Sequence, residues 1–152
     1  MAPQMDDQLG VRLQEEHKAL VQLSRVMKEH IAAQPTGNNT EWLRGLRVAF
    51  DRLYAHIERS FDMKARDGYL ETILEEQPSL ARQVESIKNE NTQILRLGAS
   101  IRAEVETLAP AESIVVNEAC ARIQRFMTVV AQHEQRENMI FMFAFNQDIG
   151  AF

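Results

Sequence analysis

Apolar residues recur every three or four positions along most of the chain, which is the spacing of one buried face of an α-helix. The clearest run lies in the second of the predicted helices, at Leu43, Leu46, Phe50, Leu53 and Ile57. No stretch of useful length alternates strictly between apolar and polar residues, as a half-buried strand would. The pattern therefore predicts an all-α protein.

Turn-forming segments divide this pattern into helices, with Thr40 as the expected N-cap of the second helix and Pro110 in the first turn of the last. The predicted helices are Asp6–Ala33, Thr40–Arg66, a short segment over residues 69–76, Ser79–Leu108 and Pro110–Phe145. Four long helices with short connections favour an antiparallel up-down-up-down four-helix bundle. At 152 residues, the chain is expected to form a single domain, residues 1–152.

Polar residues interrupt the apolar spacing of each long helix. Counting about 1.5 Å of rise per residue from one end of the bundle places these interruptions at similar heights. We call this set the polar layer; its members are His17, Ser60, Lys64, Asn91, His133 and Glu137. Because an unpaired charge is costly in an apolar interior, we expect Lys64 to face Glu137 and the other members to complete a hydrogen-bonded layer.

Three stretches of the chain resemble the hemerythrin-like (HHE cation-binding) domains. They are "LQEEHKAL" in the first helix, "HIERSFDMKARDGYLETILEEQPSLARQVESIKNENTQIL" in the middle, and "HEQRENMIFMFAFNQDIG" at the end. The resemblance covers nearly the whole chain and implies a four-helix bundle that holds a two-iron or other metal centre. It matches the family's Glu-His motif to Glu16-His17 and its His-Glu-x-x-Glu motif to His133-Glu134 with Glu137.

The chain departs from that family at three ligand positions. Ser60 stands where the family has a histidine, Lys64 where it has a bridging carboxylate, and Asn91 where it has a second histidine. An ammonium repels a divalent cation and removes an anionic ligand. We therefore expect no cofactor and no enzymatic activity, and a metal-free sensory, regulatory or structural binding module.

A metal-binding alternative stays open at this stage. His17, His133 and Glu137 are two histidines and a carboxylate, a set that could hold one iron or zinc ion, and His56 is a further candidate ligand. A two-metal version is the third possibility. In either case the protein would be a metal- or oxygen-sensing hemerythrin-like protein.

Composition restricts the classes of binding partner and the cellular location that we expect for this protein. A net charge of −5 offers no basic surface for nucleic acid, and no run of residues is long and apolar enough for a membrane. The single cysteine, Cys120, and the lack of a signal-peptide pattern favour a cytoplasmic protein.

The segment "MIFMFAF" is apolar all round its helix. This predicts either a homodimer or partner interface through Met139, Phe141 and Phe143, or a cover formed by other parts of this chain. The candidate covers are the N-terminal segment, the "GYLETIL" connection and the "NQDIGAF" tail.

Overall fold

Five α-helices and one 3₁₀ turn account for nearly all of the described chain. The computed structural model describes residues 7–145, and side chains from residue 10 onward. The helices are α1 (Asp7–Ala32), α2 (Thr40–Arg66), α3 (Tyr69–Glu76), α4 (Ala81–Glu106) and α5 (Ser113–Phe145), with the 3₁₀ turn at Pro78–Leu80. These residues contain no strand, so the predicted all-α class is confirmed.

Each helix boundary lies within three residues of the predicted one, and the starts of α2, α4 and α5 differ from the prediction in capping or position. Thr40 is the first residue of α2 rather than its N-cap, and its backbone N–H and hydroxyl both donate to Asn38 Oδ1. The segment after Pro78 begins as a 3₁₀ turn, so α4 starts at Ala81 instead of Ser79. Pro110 lies in the turn closed by the Glu112 N–H to Ala109 carbonyl bond, ahead of α5.

The long helices pack in a definite order of neighbours. Helix α1 packs mainly on α2, α2 on α4, and α4 on α5, whereas α1 and α5 touch at few points. The short helix α3 lies across α5, α2 and α4. The side of the molecule between α1 and α5 is therefore the least tightly closed.

Two hydrophobic clusters fill the interior. The larger includes Met27, Phe50 and Phe126, and the smaller joins Tyr69 of α3 to Phe141 of α5. Along α5, His133 and Glu137 come after the last residue of the larger cluster and before the first of the smaller one. The polar residues therefore lie between two apolar regions.

Glycine allows close packing between α2 and α4. A Cβ atom added at Gly98 would stand 2.5 Å from ring atoms of Tyr54 and 3.1 Å from Phe126. The Tyr54 hydroxyl donates to the Leu95 carbonyl oxygen at 2.9 Å, which keeps that ring against α4. This contact fixes the relative position of the two helices that carry Ser60, Lys64 and Asn91.

Reciprocal hydrogen bonds join the end of α1 to the start of α2. The Trp42 indole N–H donates to the His30 carbonyl oxygen, and His30 Nε2 donates to the Trp42 carbonyl oxygen, both at 2.7 Å. The two rings are also stacked, with centroids 5.3 Å apart. These bonds set the register of α1 against α2.

Among residues 7–145, none of the helices combines the length and apolarity that crossing a membrane requires.

Candidate functional site

A lysine and a glutamate form a buried ion pair at the centre of the polar layer. Lys64 lies in the last turn of α2 and its ammonium contacts Glu137 Oε1 on α5. The Lys64 side chain is 13% exposed and that of Glu137 only 2%. Since both are largely withdrawn from water, each depends on the other to offset the cost of burying its charge.

Tyr69 closes this pair on the side of α3. Its hydroxyl donates to the Glu137 backbone carbonyl at 3.5 Å, and the Lys64 ammonium lies 6.0 Å from its ring centre. Burial raises the pKa of the Tyr69 hydroxyl well above 10, and the charges of Glu137 and Glu134 raise it further. The hydroxyl therefore stays protonated and acts as a donor.

His133 continues the network toward α4. Its Nδ1 donates to Glu90 Oε1 at 2.8 Å, and Arg136 donates to Glu90 Oε2 at 2.6 Å. Burial tends to raise the pKa of Glu90, but these hydrogen bonds outweigh it and hold the pKa below the ordinary value of 4.5. Glu90 is therefore a carboxylate held by two donors from α5.

The other ring nitrogen of His133 faces Glu137. His133 Nε2 lies 3.8 Å from Glu137 Oε2, too far for a hydrogen bond, and it has no hydrogen-bond partner among the described residues. The Phe61 ring packs edge-on against the imidazole. The His133 imidazole is thus positioned by Glu90 and Phe61 rather than by Glu137, which lies one turn along α5.

Two further histidines pair with carboxylates on the α1 side. His56 of α2 is buried, and its Nε2 lies 3.2 Å from both the backbone oxygen and Oε2 of Glu16. His17 Nδ1 contacts Glu134 Oε1 on α5. Neighbouring residues in a helix point in different directions, so Glu16 reaches α2 while His17 reaches α5.

These pairs together link all four long helices. Glu16-His17 on α1 joins α2 to α5, and His133-Glu134 on α5 joins α4 to α1. The Lys64 pair then connects α5 back to α2. The pairs form a closed loop through α1, α2 and α5, and the His133–Glu90 pair attaches α4 to it.

The structure places most of the predicted polar layer inside the protein, with one exception. Ser60, His133 and Glu137 are buried, Lys64 is nearly so, and Asn91 is half-buried. The Asn91 Oδ1 has no hydrogen-bond partner within the described part of the chain.

The prediction that His17 occupies a core position is corrected. Half of its side chain is exposed. The reason is that α1 and α5 touch at few points, so the face of α1 that turns toward α5 stays open to solvent.

Several partners in this network were not among the predicted site residues. Arg136 and Tyr69 were not singled out at all, and Glu16, Glu90 and Glu134 entered only as neighbours in motifs of the resembled family. Glu90 on α4 and Arg136 on α5 carry opposite charges and lie beside the buried positions of these adjacent helices. This combination is the sequence signal that could have identified them.

The apolar segment of α5 divides into a buried part and an exposed part. Phe141 is fully buried and stacks on Tyr69 of α3, so its predicted role in an interface is corrected: the "GYLETIL" connection covers it. Met139 and Phe143 are 59% and 66% exposed, and an interface through them stays a prediction. The N-terminal segment and the "NQDIGAF" tail lie outside the described residues, apart from Asp7–Gly10 of α1.

The candidate metal ligands are distributed over separate pairs. His17 contacts Glu134, His56 contacts Glu16, and Glu137 contacts Lys64. Within the described residues, no group of three or more histidine, cysteine, aspartate or glutamate side chains is arranged to hold a metal ion. In this donor set the central carboxylate contacts an ammonium, which repels a divalent cation.

Comparison with known proteins gives no family model that matches the chain, and no similar curated protein or solved structure.

Proposed function

We propose that this chain is a hemerythrin-like four-helix bundle in which the Lys64–Glu137 ion pair and the histidine–carboxylate pairs around it replace the metal centre, and that it acts as a non-enzymatic, metal-free binding module. The observation that carries the proposal is the buried contact between Lys64 and Glu137. The role of such a module is sensory, regulatory or structural.

The chemistry of Lys64 supports the metal-free state. Its ammonium supplies the positive charge that a cation would otherwise give to Glu137. A divalent ion at this carboxylate would have to displace the ammonium or bind beside it against charge repulsion. Since a metal ligand must also be free to donate its lone pair, a carboxylate oxygen already bound to lysine is a poor ligand.

The order of helix neighbours supports the bundle. Helices α1, α2, α4 and α5 pack each on the next, and the few contacts between α1 and α5 complete the cycle. This is the order expected when four helices surround one core. The motifs "LQEEHKAL" and "HEQRENMIF" then lie on neighbouring helices, α1 and α5, as the resemblance implies, and their His17 and Glu134 are in contact.

A single-metal site remains the second candidate because of one specific observation. His133 Nε2, which has no hydrogen-bond partner among the described residues, lies 3.8 Å from Glu137 Oε2, and both atoms are metal-ligand types. A third ligand from His17 would require that side chain to leave Glu134 and turn inward.

Metal analysis of the purified full chain distinguishes the two candidates. We expect substoichiometric iron and zinc, no visible absorption, and the same melting temperature with and without a chelator, because no ligand that stabilises the folded state is removed. Near-stoichiometric metal, or a melting temperature lowered by the chelator, would overturn the metal-free proposal in favour of the single-metal site.

A further inference from the structure

The loosely closed side of the molecule contains a groove. Its walls are α1 and α5, and it encloses about 710 Å³. This volume falls within the roughly 300–1,000 Å³ of small-molecule pockets. Its central part is apolar and is lined by Leu20, Val21, Met127 and Val130.

The charge of the groove is opposite in sign to that of the chain. Its lining has two lysines, Lys18 and Lys28, against one carboxylate, Glu134, which His17 already pairs. The whole chain has a net charge of −5. Within the described residues, no carboxylate forms an ion pair with either lysine. The groove is therefore a locally cationic site in an acidic protein, which selects for an anion.

The groups are ordered along the groove. Ser24 and Lys28 lie toward the C-terminal end of α1, about 10 Å and about 16 Å by helical rise from His17, with apolar residues in between. Lys18 is adjacent to the His17–Glu134 pair and so lies near the negative charge of Glu134. The unopposed positive charge is thus at the Lys28 end.

We propose that this groove binds a small amphipathic monoanion of the medium-chain carboxylate class. The carboxylate lies at Lys28 and Ser24, and the alkyl chain lies along Val21, Val130 and Met127 toward the His17–Glu134 pair. A polar head at one end and an apolar body in the middle match the order of the lining residues. This inference does not depend on whether the polar layer binds metal, since His17 is the only member of that layer that lines the groove.

Calorimetric titration of the full chain with decanoate tests the proposal, with 1-decanol as the neutral analogue. We expect saturable decanoate binding and weaker binding of the alcohol. Ala131→Trp, which fills the groove from α5, should weaken decanoate binding at least tenfold. Lys28→Glu should weaken it about fivefold, because one exposed attraction becomes a repulsion.

Matched controls carry the same changes on the exposed surface of α4. Ala103→Trp and Arg96→Glu should leave decanoate affinity unchanged. If Ala131→Trp fails to fold, Val21→Trp fills the groove from the opposite wall.

The proposal is wrong if decanoate does not saturate, or if the groove and control variants lose affinity equally. It is also wrong if the groove is an interface between two copies of the chain. In that case the parent protein would elute as a dimer and Ala131→Trp as a monomer.

Discussion

Lys64 illustrates how the cost of burying a charge is offset in this protein. Its ammonium leaves water at the end of α2, where the last backbone carbonyls of the helix also favour a cation. Glu137, which is more deeply buried, supplies the opposing charge from α5. The two residues are separated by 73 positions in the chain, so their interaction exists only in the folded state.

Replacing Lys64 with methionine should destabilise the protein by roughly 3–5 kcal/mol, because Glu137 is left buried without its partner. Lys64→Met combined with Glu137→Leu should recover much of that loss. Urea unfolding of the parent, the two single variants and the double variant gives the coupling free energy between the two side chains. Lys88→Met, which removes an exposed lysine 3.6 Å from Glu71, is the control and should change stability by less than about 0.5 kcal/mol. Strictly additive losses would show that Lys64 and Glu137 do not interact.

Glu90 should make stability depend on pH in the acid range. Its folded-state pKa is lowered because hydrogen bonds from Arg136 and His133 outweigh the effect of burial. A lowered folded pKa means that its contribution is present above the unfolded value, near 4.5, and is lost as pH falls through the folded value. Urea unfolding of the parent and of Glu90→Gln should show stability falling below about pH 4.5 more steeply in the parent. Parallel profiles would contradict this role for Glu90.

At the scale of elements, α3 acts as the cover of the apolar end of α5. Tyr69 stacks on Phe141, and Phe141 in turn packs on Phe145. The short helix is too short to be stable by itself and depends on this packing. Its position also brings the Tyr69 hydroxyl to the backbone of Glu137, so the smaller cluster and the polar layer are joined.

Phe141→Ala should therefore destabilise the protein by about 3–5 kcal/mol, through loss of buried contacts and the cavity left behind. Phe143→Ala removes the same side chain two residues further along α5, where it is exposed, and should change stability by less than about 0.5 kcal/mol. Chemical unfolding measures the change in the free energy of unfolding for each variant. A large loss for Phe143→Ala together with a shift in elution volume would instead reveal an interface through Met139 and Phe143.

The helices could be predicted from the sequence because their apolar spacing is nearly continuous. The end of α2 at Arg66 was predicted because Asp67-Gly68 follows it, and its start was predicted to within one residue because turn formers precede it. The start of α4 was less accurate because Pro78 begins a 3₁₀ turn that apolar spacing cannot distinguish from α-helix. The position of Pro110 was wrong because proline suits both a turn and a first helical turn.

At the scale of the whole molecule, the candidate site could be predicted in part. The buried spacing of α2 and α5 predicts that Ser60, Lys64, His133 and Glu137 face the interior, and the structure buries these four side chains wholly or nearly so. His17 was misplaced, since the spacing of α1 does not reveal that its α5-facing side is open. The contacts of Glu90 depend on how α4 is rotated relative to α5. The apolar spacing of a single helix gives no information about this rotation.

The proposal for the polar layer predicts that a metal centre can be restored. Ser60→His, Lys64→Glu and Asn91→His would remove the ammonium from Glu137 and add three ligands at the level of His133. We expect this triple variant to bind ferrous iron or another divalent metal and to melt at a higher temperature when loaded, since binding only the folded state stabilises it.

The measurement is metal content and melting temperature, with and without ferrous iron under anaerobic conditions. The control introduces the same residue types at three exposed positions, as Ser100→His, Arg125→Glu and Asn89→His, and should show neither effect. A folded triple variant that binds no metal would mean that these side chains do not converge. In that case the lysine at position 64 would not by itself account for the metal-free state that we propose.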